Sequence, residues 1–367
     1  MLKVIYLSHI VWCLLNIWTI FVLGVNTLGA KNHSIWVNSE LKEIPIVWTE
    51  SRLRTLGAEL LEPFVKGLDY EEVTEWPIQP TSVVGTPAGP WNFGQVVAVA
   101  VKRDGHILVL HRGGHPIMEF DRVGTFQNSW GSDLISEGKV VRIKSSDRVM
   151  GGSGYSAVYG PAGCYSCGAH SVRVDPEGNI WIVDAGGHVV YKMNEQGNMI
   201  MQLGTRGVSG KSTDHFNLPT DVGFASNGDV YVSDGYGNSR VIKFSREGKY
   251  LLHWGKRGTD RGEFGLPHNL VVDAQDRVYV TDRDNERIEI FDSDGNFLDQ
   301  WEGVGGVSAL FMTSDQHIWT GSVLRNLAGE VLEILPAGRD VHGIAANEPG
   351  DVFTAQLSGV VQKFIKR

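Results

Sequence analysis

Three histidines, His170, His268 and His342, have the residue type and spacing of a metal-binding set. Each begins a short apolar segment of a repeated unit, and the three units alternate along the chain. Three neutral imidazoles that converge on one point form a tripod for a divalent ion such as zinc, with a fourth position open for water or substrate. We therefore expect a metal centre here, with three unrelated core histidines as the alternative.

A tyrosine and two arginines are candidates for the remaining chemistry. Tyr236 lies between Gly235 and Gly237 in a loop that is longer than the equivalent loop of the next unit, so it departs from the repeat. A phenol near a metal can act as general acid or base, because the cation lowers its pKa. Arg112 and Arg283 project from similar places, where a guanidinium can bind a carboxylate at two points. A surface or structural role is the alternative for each.

These residues must be positioned by a repeat of short strands. The stretch 218–244 reads as three strands separated by an Asn-Gly-Asp turn and a polar loop, and a fourth strand ends near Trp254. The pattern also occupies 266–291 and 169–193. Glycine, asparagine and aspartate accept the backbone geometry of hairpin turns. A period of about 50 residues with four strands per unit is typical of propeller blades.

The sequence thus predicts an all-β fold, a six-bladed β-propeller that spans residues 94–367. Alternate blades of a six-bladed ring lie about 120° apart, so histidines in every second blade meet near the axis. The blades are placed at 94–130, 168–205, 216–256, 265–303, 305–335 and 339–364. Their channel-facing positions hold, in order, Val97, His170, Thr220, His268, Ser308 and His342.

The N-terminus indicates export. An apolar run at 10–25 follows Lys3 and precedes the small residues Thr27 and Ala30, so residues 1–30 are predicted to be a signal peptide or an uncleaved signal anchor. Residues 31–93 show no repeat and are interpreted as an N-terminal arm, and either this arm or the final strand closes the ring. We expect the folded part to be secreted, periplasmic or held outside the cytoplasm by a membrane anchor.

Composition narrows the function further. The net charge of −9 and the absence of a Lys/Arg run exclude a nucleic-acid partner, and 42% hydrophobic residues suffice for a globular core. Cys164 and Cys167 lie in a Ser/Gly-rich insertion, where a local disulfide, free thiols or metal ligation are the alternatives. We expect a monomer.

At these residues the sequence resembles the peptidyl-α-hydroxyglycine α-amidating lyases, also called peptidylamidoglycolate lyases, and their relatives with NHL repeats. The similarity runs from Gly94 to the C-terminus. It is carried by HRGGH at 111–115, AHSVRVD at 169–175, HFNLPTDV at 215–222, SDGYGNSR at 233–240, LPHNLVVD at 266–273 and DRDNERI at 282–288.

The resemblance implies a six-bladed propeller with zinc on the three histidines. It further implies a structural calcium in the channel, bound by the backbone carbonyls of Val99 and Val172 and by an aspartate. The implied roles in catalysis and substrate binding fall on Arg112 and Tyr236 as catalytic residues and on Arg283 as a substrate-binding residue.

The chain departs from the family pattern at four positions. The calcium aspartate is expected directly after the third histidine, where this sequence has Gly343, and a methionine two residues before that histidine is replaced by Asp340. The cysteines of the animal enzymes correspond to Asn217 and Gly237. Calcium binding is thereby left open.

The resemblance implies a lyase that cleaves N-acyl or peptidyl-α-hydroxyglycine to an amide and glyoxylate. Its substrate would be a small molecule or peptide with a C-terminal α-hydroxyglycine-like group. The alternatives are a non-enzymatic NHL-repeat binding module, which needs no set of three histidines, and another metal-dependent propeller hydrolase such as a lactonase, whose site depends on channel carboxylates.

Overall fold

A computed structural model describes residues 69–78, 93–113, 115–136, 168–337 and 340–367. The chain divides into two units, 1–66 and 67–367, and all described residues belong to the second. The expected export segment at 1–30, Cys164 and Cys167 lie outside the described residues. Among the helices that are described, none has the length and apolar character needed to cross a membrane.

The described residues form six antiparallel sheets of four strands each. The strands are, blade by blade, β2 (Val96–Val101), β3 (Ile107–His111), β4 (Ile117–Phe120) and β5 (Phe126–Trp130); β6 (Ala169–Val174), β7 (Ile180–Asp184), β8 (Val189–Met193) and β9 (Met199–Leu203); β10 (Asp221–Phe224), β11 (Val230–Asp234), β12 (Arg240–Phe244) and β13 (Tyr250–Trp254); β14 (Pro267–Val272), β15 (Val278–Asp282), β16 (Arg287–Phe291) and β17 (Phe297–Trp301); β18 (Leu310–Met312), β19 (Ile318–Thr320), β20 (Val323–Arg325) and β21 (Val331–Ile334); β22 (Val341–Ala346), β23 (Val352–Gln356), β24 (Val361–Lys366) and β1 (Tyr70–Glu72). The predicted six-bladed all-β propeller is confirmed.

Burial follows the position of a strand within its blade. The inner and middle strands are almost continuously apolar and buried, as in β7 and β11, because both faces pack against neighbouring blades. The outermost strands, such as β13, are largely exposed. The core is therefore divided into apolar layers between adjacent blades, and the innermost strands surround the central channel.

The ring is closed by β1, which pairs with β24 so that Tyr70 lies opposite Lys366. The ring of Tyr70 packs edge-on against Trp319 of the fifth blade, with 5.8 Å between the ring centroids. Closure pairs the backbone groups of an otherwise open sheet edge. The sequence left open whether the N-terminal arm or the final strand closes the ring. In the structure the closing strand is β1, which lies within segment 31–93.

Repeated polar residues hold the loops between strands. In blade three the Asp234 carboxylate accepts hydrogen bonds from Asn238 and Arg240, at 2.6 and 2.9 Å. In blade four Asp282 does the same for Asn285 and Arg287, so these repeated residues hold the loop in the same way in both blades.

Candidate metal centre and active site

Three imidazoles meet where the innermost strands β6, β14 and β22 begin. His170, His268 and His342 each occupy the second position of their strand, and all three are buried. The ring centroids form a nearly equilateral triangle with sides of 4.8, 5.1 and 5.1 Å. One nitrogen from each ring lies within 4.8 Å of the others. The structure thus brings together the three histidines that the sequence places in alternate blades.

Backbone carbonyls fix the protonation of two of these rings. His170 donates from Nδ1 to the carbonyl oxygen of Thr220 at 2.6 Å, and His342 donates from Nδ1 to that of Val97 at 2.7 Å. A carbonyl oxygen can only accept, so the proton of each neutral ring is on Nδ1. The lone pair of Nε2 is therefore left free to bind a metal ion.

The third ring is fixed by a side chain. His268 donates from Nδ1 to Oδ1 of Asn269 at 2.7 Å. The amide of Asn269 is itself oriented, because its Nδ2 donates to the buried Asp221 carboxylate at 2.9 Å. Asp221 and Asn269 were not selected from the sequence. In the sequence, each is a polar residue that directly follows the channel-facing position of an otherwise apolar strand.

Burial keeps the three imidazoles neutral. Desolvation is the largest cause that lowers the pKa of His170 and His268 well below the usual value, and it lowers the pKa of His342 to about 3. The positive charges of Arg112 and Arg283 lower the pKa of His342 further. Neutral imidazole is the form that binds a metal ion, so the site is prepared to bind one at neutral pH.

Tyr236 lies directly over the histidines. Its phenol oxygen is 3.1 Å from Nε2 of His170 and 3.1 Å from Nε2 of His268. The loop that the sequence indicated contains one helical turn, α1 (Gly235–Asn238). A side chain at Gly235 would collide with the carbonyl oxygen of Pro267, so glycine lets this turn lie against β14.

The two arginines reach the same site from different blades. Arg112 follows β3 and donates from Nη1 to Oε1 of Gln95 at 2.7 Å and from Nε to the carbonyl oxygen of Ala169, next to His170, at 3.2 Å. Arg283 starts a 3₁₀ turn, Arg283–Asn285, and its guanidinium carbon is 5.7 Å from the ring centroid of Tyr236. The site is therefore flanked by positive charge.

Val99 and Val172, whose carbonyls are the implied calcium ligands, line a small cavity on the channel together with His170 and His342. Gly343 lines the same cavity without supplying a carboxylate. The structure thus brings the two carbonyl-bearing residues together but not the third expected ligand.

Comparison with known proteins finds NHL repeats and relatives named as lyases. The NHL repeat family model matches residues 216–244 and 264–291. A probable peptidyl-alpha-hydroxyglycine alpha-amidating lyase of Caenorhabditis elegans is 31% identical over 236 residues, which are 63% of this chain and 64% of the relative.

Two further relatives cover different parts of the chain. The peptidylglycine alpha-amidating monooxygenase of Rattus norvegicus is 30% identical over 383 residues, 92% of this chain and 37% of the relative. NHL repeat-containing protein 3 of Homo sapiens is 38% identical over 134 residues, 34% of this chain and 39% of the relative. The chain thus spans less than two thirds of the length of these curated relatives. By its blades and its relatives, the chain belongs to the NHL-repeat family that includes the peptidyl-alpha-hydroxyglycine alpha-amidating lyases.

Proposed function

We propose that this chain is an exported, zinc-dependent carbon–nitrogen lyase that cleaves an N-acyl or peptidyl-α-hydroxyglycine into an amide and glyoxylate. The names of its relatives support a lyase, and the apolar run at 10–25 supports export. The observation that carries the proposal is the phenol oxygen of Tyr236, which lies 3.1 Å from the metal-binding nitrogens of two histidines.

The residues fit zinc as the metal. His170, His268 and His342 present three neutral nitrogen donors, and a catalytic zinc site has three protein ligands and one open position. The chemistry that zinc supplies when bound there is polarisation of the substrate hydroxyl oxygen, which lowers the pKa of that hydroxyl.

Tyr236 moves the proton. The substrate's α-hydroxyl gives its proton to the phenolate oxygen, the C–O bond becomes the aldehyde C=O of glyoxylate, and the C–N bond breaks. The phenol then returns the proton to the departing amide nitrogen, so that atoms and charge balance.

Arg112 and Arg283 bind the substrate's carboxylate. Both guanidinium groups are part-buried, and their charges reach the histidines strongly enough to lower the pKa of His342. Charge-assisted bonds to the carboxylate would hold the α-carbon beside the phenol throughout the cleavage. The same carboxylate remains on glyoxylate, so these arginines contact both substrate and product.

The decisive experiment measures glyoxylate release from α-hydroxyhippurate by the zinc-loaded protein and by Tyr236→Phe. We expect the variant to lose about 100- to 10,000-fold in kcat, because it keeps the ring but removes the proton acceptor. Tyr250→Phe is the matched control, since the Tyr250 hydroxyl bonds only His253 among the described residues and lies on an outer strand. The mechanism is rejected if Tyr236→Phe turns over the substrate as fast as the unaltered protein.

The two rival functions are less well supported. A binding module without catalysis gives no reason for three buried histidines beside a phenol. A lactonase of the calcium type needs free carboxylates in the channel, whereas the buried Asp221 carboxylate is paired with Arg173.

A further inference from the structure

An arginine extends across the central channel. Arg173 belongs to β6 in the second blade, and its Nη1 donates to the carbonyl oxygen of Leu310 on β18 at 2.8 Å. β18 belongs to the fifth blade, and the second and fifth blades of a six-bladed ring face each other. A hydrogen bond between opposite blades must cross the axis, so the guanidinium lies in the channel.

A buried aspartate neutralises this charge. Asp221 of β10 is inaccessible to solvent, and its two carboxylate oxygens accept from Nε and Nη2 of Arg173 at 3.0 and 2.5 Å. Two parallel charge-assisted bonds form a strong and rigid pairing. The same carboxylate also accepts from Ser171 and from the side chain of Asn269, so the pair connects the second, third, fourth and fifth blades.

The same part of the channel does not fit a calcium ion. Calcium requires six to eight oxygen ligands, of which carboxylates supply the charge. Arg173 lines the cavity that contains Val99 and Val172, and it brings a positive charge there. A Cβ atom at Gly343 would lie 2.5 Å from Cα of Ala98, so the expected aspartate cannot be accommodated unless the backbone moves.

We propose that Arg173, paired with Asp221, is a built-in axial cation that takes the place of a bound calcium ion in this propeller. The guanidinium performs the structural task of a metal, which is to connect strands from several blades through oxygen acceptors. Within the channel that the described residues form, the metal site is then the one at the three histidines, and the stability of this ring does not depend on calcium. This inference does not depend on which substrate the site cleaves.

The first test uses the whole, zinc-loaded protein. After dialysis from a buffer with 1 mM calcium chloride, elemental analysis should find zinc but no stoichiometric calcium. Thermal unfolding should give the same Tm, within about 1 °C, with calcium or with the chelator EGTA in the presence of zinc. One retained equivalent of calcium, or a Tm that falls by several degrees with EGTA, would overturn the proposal.

The second test separates charge from packing. Arg173→Met keeps most of the side-chain volume but leaves Asp221 buried without its cation, so Tm should fall by about 5–10 °C. Adding Asp221→Asn should restore much of that loss, because no unpaired charge remains buried. The proposal is wrong if the fall in Tm of the double variant equals the sum of the falls that Arg173→Met and Asp221→Asn cause separately.

A matched control removes an arginine from an exposed ion pair. Arg246 pairs with Glu177 at 2.5 Å, and both side chains are 55% exposed. Arg246→Met should therefore leave Tm within about 1 °C of the unaltered protein. A fall in Tm as large as that of Arg173→Met would show that the axial position is not special and would contradict the proposal.

Discussion

The imidazole of His268 differs from the other two in the group that holds it. The Nδ1 atoms of His170 and His342 donate to backbone carbonyls, which every residue type supplies. His268 depends instead on the side chain of Asn269. The contact between His268 and Asn269 therefore allows the orientation of one imidazole to be changed while all three histidines are kept.

Asn269→Ala is expected to weaken metal binding by about 10- to 100-fold, because the ring loses the acceptor that fixes its orientation and proton. Competition with a fluorescent zinc chelator measures the dissociation constant. Asn296→Ala serves as a control, since Asn296 only bonds Asp292 in an exposed turn. An unchanged zinc affinity in Asn269→Ala would refute this role for the amide.

The sequence predicts some of this site and misses the rest for a physical reason. His170, His268 and His342 could be selected because histidine recurs in the same channel-facing position of every second blade. Arg173 could not, because its partner Leu310 is more than a hundred residues away and only the closed ring brings them together. Asp221 and Asn269 are marked in the sequence only as polar residues that directly follow the channel positions Thr220 and His268.

At the scale of elements, strand β16 carries an unusual carboxyl group. Glu289 is inaccessible to solvent; its Oε1 bonds Gly262 and Arg287, and its Oε2 has no partner among the described residues. Arg287 is shared with Asp282. Burial raises the pKa of Glu289 from 4.5 to about 7. The folded protein thus holds this proton more tightly than the unfolded chain does.

Glu289→Gln should therefore stabilise the protein at pH 8 but much less at pH 5. The contribution of the protonated group is complete below pH 4.5 and is lost as pH rises through about 7, because the ionised carboxylate is favoured in the unfolded chain. The difference amounts to at most about 3 kcal/mol. Unfolding in urea at both pH values measures it, with the exposed Glu247→Gln as control. A pH-independent difference would contradict this explanation.

At the scale of the whole molecule, stability depends on closure by three residues. β1 supplies the outer strand of the sixth blade, and Tyr70 packs between that blade and Trp319 of the fifth. The apolar core lies in layers between adjacent blades, so opening one sheet edge disturbs packing that continues around the ring. The closing strand therefore affects the entire ring.

Tyr70→Ala should lower Tm by about 5 °C or more, since a buried aromatic ring is replaced by a cavity at the closure. Differential scanning calorimetry measures the shift and also whether unfolding remains a single transition. Tyr250→Ala removes an outer-strand tyrosine that is 37% exposed and should change Tm much less. Equal effects of the two substitutions would argue against a special role for closure.

Closure also places two distant parts of the chain side by side. The backbone N–H of Arg367 donates to the carbonyl oxygen of Asp69 at 2.6 Å. A short peptide linker could thus join these positions, and the chain could be cut instead at the exposed turn around Gly295. In such a circular permutant β1 would follow β24 directly, so all four strands of the sixth blade would come from one continuous segment of the chain.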